Sequence, residues 1–247
     1  MLDIIGKKKW YFLFSLLLII PGLISLGLWG LNLSIDFTGG SRTTLVFPQK
    51  VNEQKVDQVT TAFESEGISV VTAQTSGESV IIRTKPLTEK QNVVVLAALK
   101  ENAGSFQQEE FETIGPVIGQ EITQNAINAM AFASVMIILY IAWSFRGVRK
   151  PASSWRFGVC AVIALIHDVL ILLGVFSILG HFWGVEVDSL FVTAILTVIG
   201  FSVHDTIVVF DRIRENLRKT IDTPFGQVVN DSILQTLVRS LNTSWTT

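Results

Sequence analysis

Two His-Asp pairs stand well inside stretches that otherwise read as membrane. Asp168 lies in ALIHDVLIL and Asp205 in GFSVHDTIVVFDR, and each follows a histidine, His167 and His204. An ionisable group inside a bilayer span is unfavourable by about 2.5 kcal/mol or more, so it usually faces a cavity or a partner and serves a function. The structural alternative is a carboxylate that only hydrogen-bonds one helix to another. Three chemistries fit two such carboxylates. A proton relay needs a carboxylate that loads and unloads, and removal from water raises a carboxyl from its ordinary value of about 3.9 toward neutral pH. An intramembrane aspartyl protease needs two Asp sharing a proton, but neither Asp is glycine-flanked here. A metal site from the two His-Asp pairs is disfavoured, because adjacent helical residues point about 100° apart. Ser202 and His204, two apart, fall on different faces and make a poor nucleophile pair. The proton relay fits best. Asp211 and Arg212, at the membrane edge, read as ordinary interfacial charges.

These residues must be carried by spanning helices. The 247 residues are 49% hydrophobic and 16% charged, against about 25% charged in soluble domains. Four apolar stretches reach the roughly 20 residues a bilayer requires: residues 10–31, 126–145, 157–179 and 187–210. Asp168 is eleven residues from either end of the third. The first is too long for the core of a signal peptide and lacks a small-x-small cleavage site; Pro21-Gly22 is expected to kink it. The single cysteine, Cys160, cannot form an internal disulfide and is expected to be a buried small hydrophobe. The net charge of −2 says nothing about nucleic acid, and no basic run is long enough to track a phosphate backbone. Nothing calls for a cofactor or metal.

Lys7, Lys8 and Lys9, then Arg146, Arg149, Lys150 and Arg156, then Arg212, Arg214, Arg218 and Lys219 lie on one side of the spans. The short loop 180–186 on the other side has no Lys or Arg. The positive-inside rule then places the N-terminus and the chain after Phe210 in the cytoplasm. The chain divides into residues 1–31 (cytoplasmic N-terminus and first span), 32–125 (an extracytoplasmic domain), 126–210 (spans two to four) and 211–247 (a cytoplasmic segment).

Residues 32–125 are too polar for a span. Strands are expected at 41–48, 68–74, 80–84 and 106–114, with a hairpin signal at Ser76-Gly77. Helices are expected at 53–65, with Val56, Val59 and Phe63 inward, and at 88–102, capped by Thr88 with Val94, Val95, Ala98 and Leu99 as a stripe. The order β-α-β-β-α-β is that of ferredoxin-like domains. The fold class is therefore a polytopic α-helical membrane protein with four spans and a small α+β ferredoxin-like outer domain.

Several stretches resemble the SecF family of protein-export membrane proteins. Asp36 opens IDFTGG, similar to the Asp-x-x-Gly-Gly signature shared by SecD and SecF, with Gly39 and Gly40. GPVIGQE, with Gly115, Pro116 and Gly119, is similar to the motif before their second helix. ALIHD and TVIGFSVHDTIVVFDRIREN resemble the third- and fourth-helix motifs, and SILQTLVRSLNTSWTT resembles the approach to a fifth helix. His204 stands where the family usually carries Asn. Six spans are usual in the family, so the chain reads as stopping before the last two. The resemblance implies a subunit that works with SecD beside the SecYEG channel. It would draw preproteins across the bacterial cytoplasmic membrane, in contact with membrane lipid, using the proton-motive force and without being an enzyme. It implies Asp205 as proton carrier, with Asp168, His204 and Arg239 around it and Arg239 as its charge partner. A sharp turn at Gly39-Gly40, a break at Gly115-Pro116 and a second flexible point at Gly119 would make hinges between a moving domain and its helices. A proton-driven small-molecule exporter is the runner-up, disfavoured by the modest outer domain; an intramembrane protease is third.

The topology is testable in intact cells. Cysteines introduced at Ser76 and Ser153 should label oppositely with an impermeant thiol reagent, Ser76 from outside; labelling of both or neither contradicts the assignment.

Overall fold

The computed structural model describes residues 2–144, 154–219 and 223–246. Residues 145–153, including Arg146, Arg149, Lys150 and Ser153, lie outside the described residues. The chain divides into two compact units, one formed by Asn32–Ile127 with Glu186–Ser189 and the other by Met1–Leu31, Asn128–Val185 and Leu190–Thr247.

In the first unit a four-residue helix α2 (Ile35–Thr38) leads into β1 (Gly40–Val46), then α3 (Glu53–Ser65), β2 (Val70–Ser76), β3 (Ser79–Thr84), α4 (Glu89–Asn102) and β4 (Gln107–Ile114). The helix preceding all of these, α1 (Lys8–Leu28), belongs to the other unit. The sheet is antiparallel, in the order β2-β3-β1-β4, the ferredoxin-like arrangement expected from the element order. Local chemistry sets the helix starts. The Asn52 side chain accepts from Lys55 N–H, and Thr88 and Gln91 form a reciprocal capping box. Leu45 opposite Val80 and Thr43 opposite Ile82 present one buried sheet face. Val59, Ala62 and Phe63 of α3 and Val95 and Leu99 of α4 complete that core. Val56 is only partly buried and Val94 is exposed. In place of Val94, Asn92 turns inward and exchanges amide hydrogen bonds with Gln108.

This unit also holds a segment that the sequence assigns to the fourth span. Leu33 and Val187 form a parallel bridge. Val187 N–H donates to Asn32 O at 2.8 Å, and Ser34 N–H donates to Val187 O at 2.9 Å. With its backbone bonded in this way, Val187 cannot open a helix, and the fourth span begins at Ser189 instead. Arg83 of β3 braces the same place. It pairs with Glu186 at 3.1 Å and donates to Thr38 Oγ1 at 3.1 Å. Both partners of the ion pair are largely buried, where removing one charge would leave the other uncompensated.

The second unit is built from α1, α5 (Pro116–Ser144, from Asn128 onward), α6 (Ser154–Trp183), α7 (Ser189–Lys219, from Leu190 onward) and α8 (Phe225–Thr246). The first four of these are long and apolar enough to cross a membrane. Helix α1 continues through Pro21 without a break. Helix α7 runs beyond residue 210, where the sequence ends the span, and α8 follows as a second helix in the segment 211–247.

Helices α1 and α6 run parallel and in register, each contact joining residues 152 apart: Ser15 with His167, Gly22 with Gly174, Ser25 with Ser177 and Trp29 with His181. The steps of seven, three and four are the seam of a parallel helix pair. At its centre the backbones meet: a Cβ on Gly22 would stand 2.8 Å from the Gly174 Cα. Both helices carry Gly-x-x-Ser there, the small residues that permit close approach in lipid. Ser177 donates to the Gly30 carbonyl at 2.6 Å, so the 2.7 Å Ser25–Ser177 bond takes its proton from Ser25. Trp29 and His181 stack with centroids 3.8 Å apart. Helix α7 lies antiparallel to α6, Phe157 meeting Phe210 and Phe176 meeting Phe191. Cys160, expected to be buried, is exposed. Phe157, Ala161 and Leu165 are the inward stripe of α6, and Cys160 falls outside it, on a face that a membrane would cover.

In a Cys160→Ser background, Ser25→Cys with Ser177→Cys should form a disulfide on mild oxidation. Adding Gly174→Leu should abolish it, because side-chain volume there must push the helices apart. A disulfide that still forms would show that the glycine contact does not hold the pair.

Candidate functional site

The third and fourth spans bring one carboxylate into a network and leave the other open. Asp168, midway along α6, has both oxygens engaged. Oδ1 is 2.7 Å from His167 Nδ1, and Oδ2 accepts the Ser202 hydroxyl of α7 at 2.5 Å. The other ring nitrogen of His167, Nε2, is 2.5 Å from Ser15 Oγ of α1. Adjacent helical side chains leave their backbone in divergent directions, yet the imidazole of His167 reaches back to the neighbouring carboxylate. One proton assignment satisfies every group: Ser15 O–H to Nε2, Nδ1–H to Oδ1, and Ser202 O–H to Oδ2. Hydrogen bonds to a charged group contribute about 1.5–3 kcal/mol each, comparable to the burden of a carboxylate in a span.

Asp205 lies one turn beyond Ser202 on α7, on the same side of the helix. Its Oδ1 is buried and has no hydrogen-bond partner among the described residues. Arg239 of α8, expected to be its charge partner, has its guanidinium 3.5 Å from His204 Nε2 instead, a long contact at an exposed site. Arg239 also lines a cavity of about 300 Å³ with Asp211, Arg212, Glu215 and Gln235. Asp211 pairs with Arg214, and Arg212 with Glu215 at 2.8 Å, so both are bonded along their own helix surface. Ser202 is bonded to Asp168 and not to His204. Among the described residues, no three His, Cys, Asp or Glu cluster as a metal ion would require.

The two glycine motifs meet within the α/β unit. Gly39 ends α2 at φ 70° and Gly40 follows at φ 131°, conformations that favour glycine and turn the chain directly into β1. Gly115 ends β4, and Pro116 opens α5, the position where its missing N–H is harmless. Gly119 lies inside α5, where a Cβ would be 3.0 Å from Gly39 N and 3.1 Å from Phe37 O. A Cβ on Gly39 would be 2.9 Å from Pro116 Cα. Gly119 therefore lies in a continuous helix with the backbone of Phe37 and Gly39 close against it. The Asp36 carboxylate accepts the N–H of Ser189, the first residue of α7, at 2.8 Å, a favourable place for negative charge.

Sequence reasoning did not pick out Ser15, Ser25 and Ser177 or the α1–α6 register. The available signal was Gly-x-x-Ser in both helices, with Ser15 and His167 seven residues before each glycine.

The chain matches two family models: protein export membrane protein SecD/SecF, C-terminal, over residues 94–247, and the SecD/SecF GG motif over residues 24–49. It is 44% identical to the protein translocase subunit SecF of Thermobaculum terrenum, over 100% of this chain and 80% of that one. It is 41% identical to SecF of Anaerolinea thermophila, covering 98% and 78% of the two chains. The crystal structure of SecDF, a translocon-associated membrane protein from Thermus thermophilus, superposes with a TM-score of 0.82 at 32% identity. That match covers 99% of this chain and 32% of the larger one. With four apolar helices, a ferredoxin-like unit and both motif regions matched, the chain belongs to the SecF side of the SecD/SecF family of protein export membrane proteins.

Proposed function

We propose that this chain is an auxiliary subunit of the Sec translocase, which works with SecD beside the SecYEG channel to draw preproteins across the cytoplasmic membrane at the expense of the proton-motive force. The curated relatives are named as translocase subunits, and the larger structural relative joins SecD and SecF in its name. The distribution of Lys and Arg supports a cytoplasmic N-terminus and an α/β unit outside. The role is that of a transporter component rather than an enzyme.

The observation that carries the coupling role is the open oxygen of Asp205, buried in α7 and without a partner among the described residues. A proton arriving there removes a buried charge and lets neighbouring helices repack. Each proton moving down the field supplies about 2.3 kcal/mol per 100 mV. Arg239 and His204 place positive charge and a second proton acceptor beside this helix. Proteolysis by a shared-proton dyad is disfavoured, because both Asp168 oxygens are occupied by His167 and Ser202. A small-molecule exporter is disfavoured by the names of the relatives.

Asp205→Asn keeps the shape and removes the titrating group. In the full-length protein it should assemble with SecD yet lose the part of export that depends on the proton gradient. Normal gradient-dependent export by Asp205→Asn would exclude Asp205 as the coupling site.

A further inference from the structure

We infer that Ser15, His167, Asp168 and Ser202 form a proton path that delivers protons from the α1 side of the helices to Asp205, with His167 as the shuttle. The inference rests on the reading of Asp205 as the coupling carboxylate and adds the route to it. Three hydrogen bonds in series join three helices, at 2.5, 2.7 and 2.5 Å. Each member both accepts and donates protons: two hydroxyls, an imidazole using both nitrogens, and a carboxyl using both oxygens. A brace between two helices needs one bond, and the glycine-serine seam already fastens α1 to α6. A four-member chain ending one turn from an open carboxylate exceeds that need.

The step balances without redox chemistry. Ser15 takes a proton from water as it passes its own to His167 Nε2. The imidazolium releases the Nδ1 proton to Asp168 Oδ1. The carboxyl turns about Cβ–Cγ and hands that proton to Ser202, which gives up its own across one helical turn to Asp205. A ring flip or tautomer exchange resets His167. One proton enters and one leaves.

Few other groups compete. From α1, Ser15 bonds His167, Tyr11 lies one turn before it, and no charged residue occurs from Trp10 to Leu28. From α7 come Ser202, then His204 and Asp205, and the next charge is Asp211. From α8, Arg239 stands against His204. On α6 itself, Arg156 and His181 lie near the two ends.

The test uses the full-length chain with SecD in inverted vesicles, reading export with the gradient intact minus export with it collapsed. His167→Gln keeps a hydrogen-bonding amide but cannot pass a proton, and should lower this component at least about tenfold. His167→Ala should be lowered similarly and be partly restored by imidazole in the buffer, a rescue that a brace would not show. Ser202→Ala should lose the component and Ser202→Thr should keep it. A wild-type response from His167→Gln, alongside a defective Asp205→Asn, overturns the path and leaves the role of Asp205 standing. His167→Ala unmoved by imidazole makes His167 a brace and also overturns it. A normal Asp205→Asn removes the coupling site and the path with it.

Discussion

Two helices approach until their backbones touch only where neither carries a side chain, and the Gly22–Gly174 contact meets that condition at the centre of the α1–α6 seam. In lipid no water is released by packing, so close fit and hydrogen bonds must hold helices together. The polar contacts along the seam all depend on the short interaxial distance that the two glycines allow. Ser15 reaches His167, Ser25 reaches Ser177, and Ser177 reaches the carbonyl of Gly30. Moving the helices apart by one methyl group would break short side-chain bonds on both sides of the contact. The Asp168 network inherits its geometry from this register, since the serine that binds His167 stands one heptad before Gly22.

The two carboxylates within the spans illustrate two ways of placing a charge in a membrane. Asp168 is compensated from two sides, by an imidazole on its own helix and a hydroxyl on the next. Asp205 retains an unsatisfied oxygen. A satisfied group is held in place and can exchange a proton only along the bonds it already makes; an unsatisfied one is open to a proton or an incoming partner. The division was not visible from residue type, because both are Asp preceded by His in an apolar run. It arises from what the facing helices present: α7 offers Ser202 to Asp168, whereas the guanidinium of α8 stops at His204.

Much of the α/β unit was legible because its signals are local. The limits Glu53–Ser65 follow from an Asn52 cap and a Gly67 stop, and the Thr88 cap acquired the reciprocal Gln91 bond that its sequence allows. What escaped depends on distant partners. Helix α2 is too short to show periodicity. Val187 looks like the first residue of a span but spends its backbone on Asn32 and Ser34, more than 150 positions earlier in the chain. The close approach of Gly119 to the backbone of Gly39 joins residues 80 positions apart and leaves no local signal. The four spans were legible from length and apolarity, but their seam was not. Small residues in a membrane helix are common, and only the pairing of two identical patterns tells which ones touch.

Helix α7 is one unbroken rod of 31 residues, about 46 Å long at 1.5 Å per residue, half as long again as the roughly 30 Å of hydrocarbon in a bilayer. From Asp205 to Lys219 the rod extends about 21 Å, and the pairs Arg212–Glu215 and Lys219–Glu215 tie successive turns of this outer part. A stiff rod pivoting at Asp205 through about 10° would carry its Lys219 end sideways by nearly 4 Å, on the order of 2.5 helical residues of rise. A kinked helix would absorb the same event as a bend. The continuity of α7 therefore gives it the mechanical character of a lever arm, in which a small rotation at the level of the carboxylate becomes a displacement the size of a side chain at the far end.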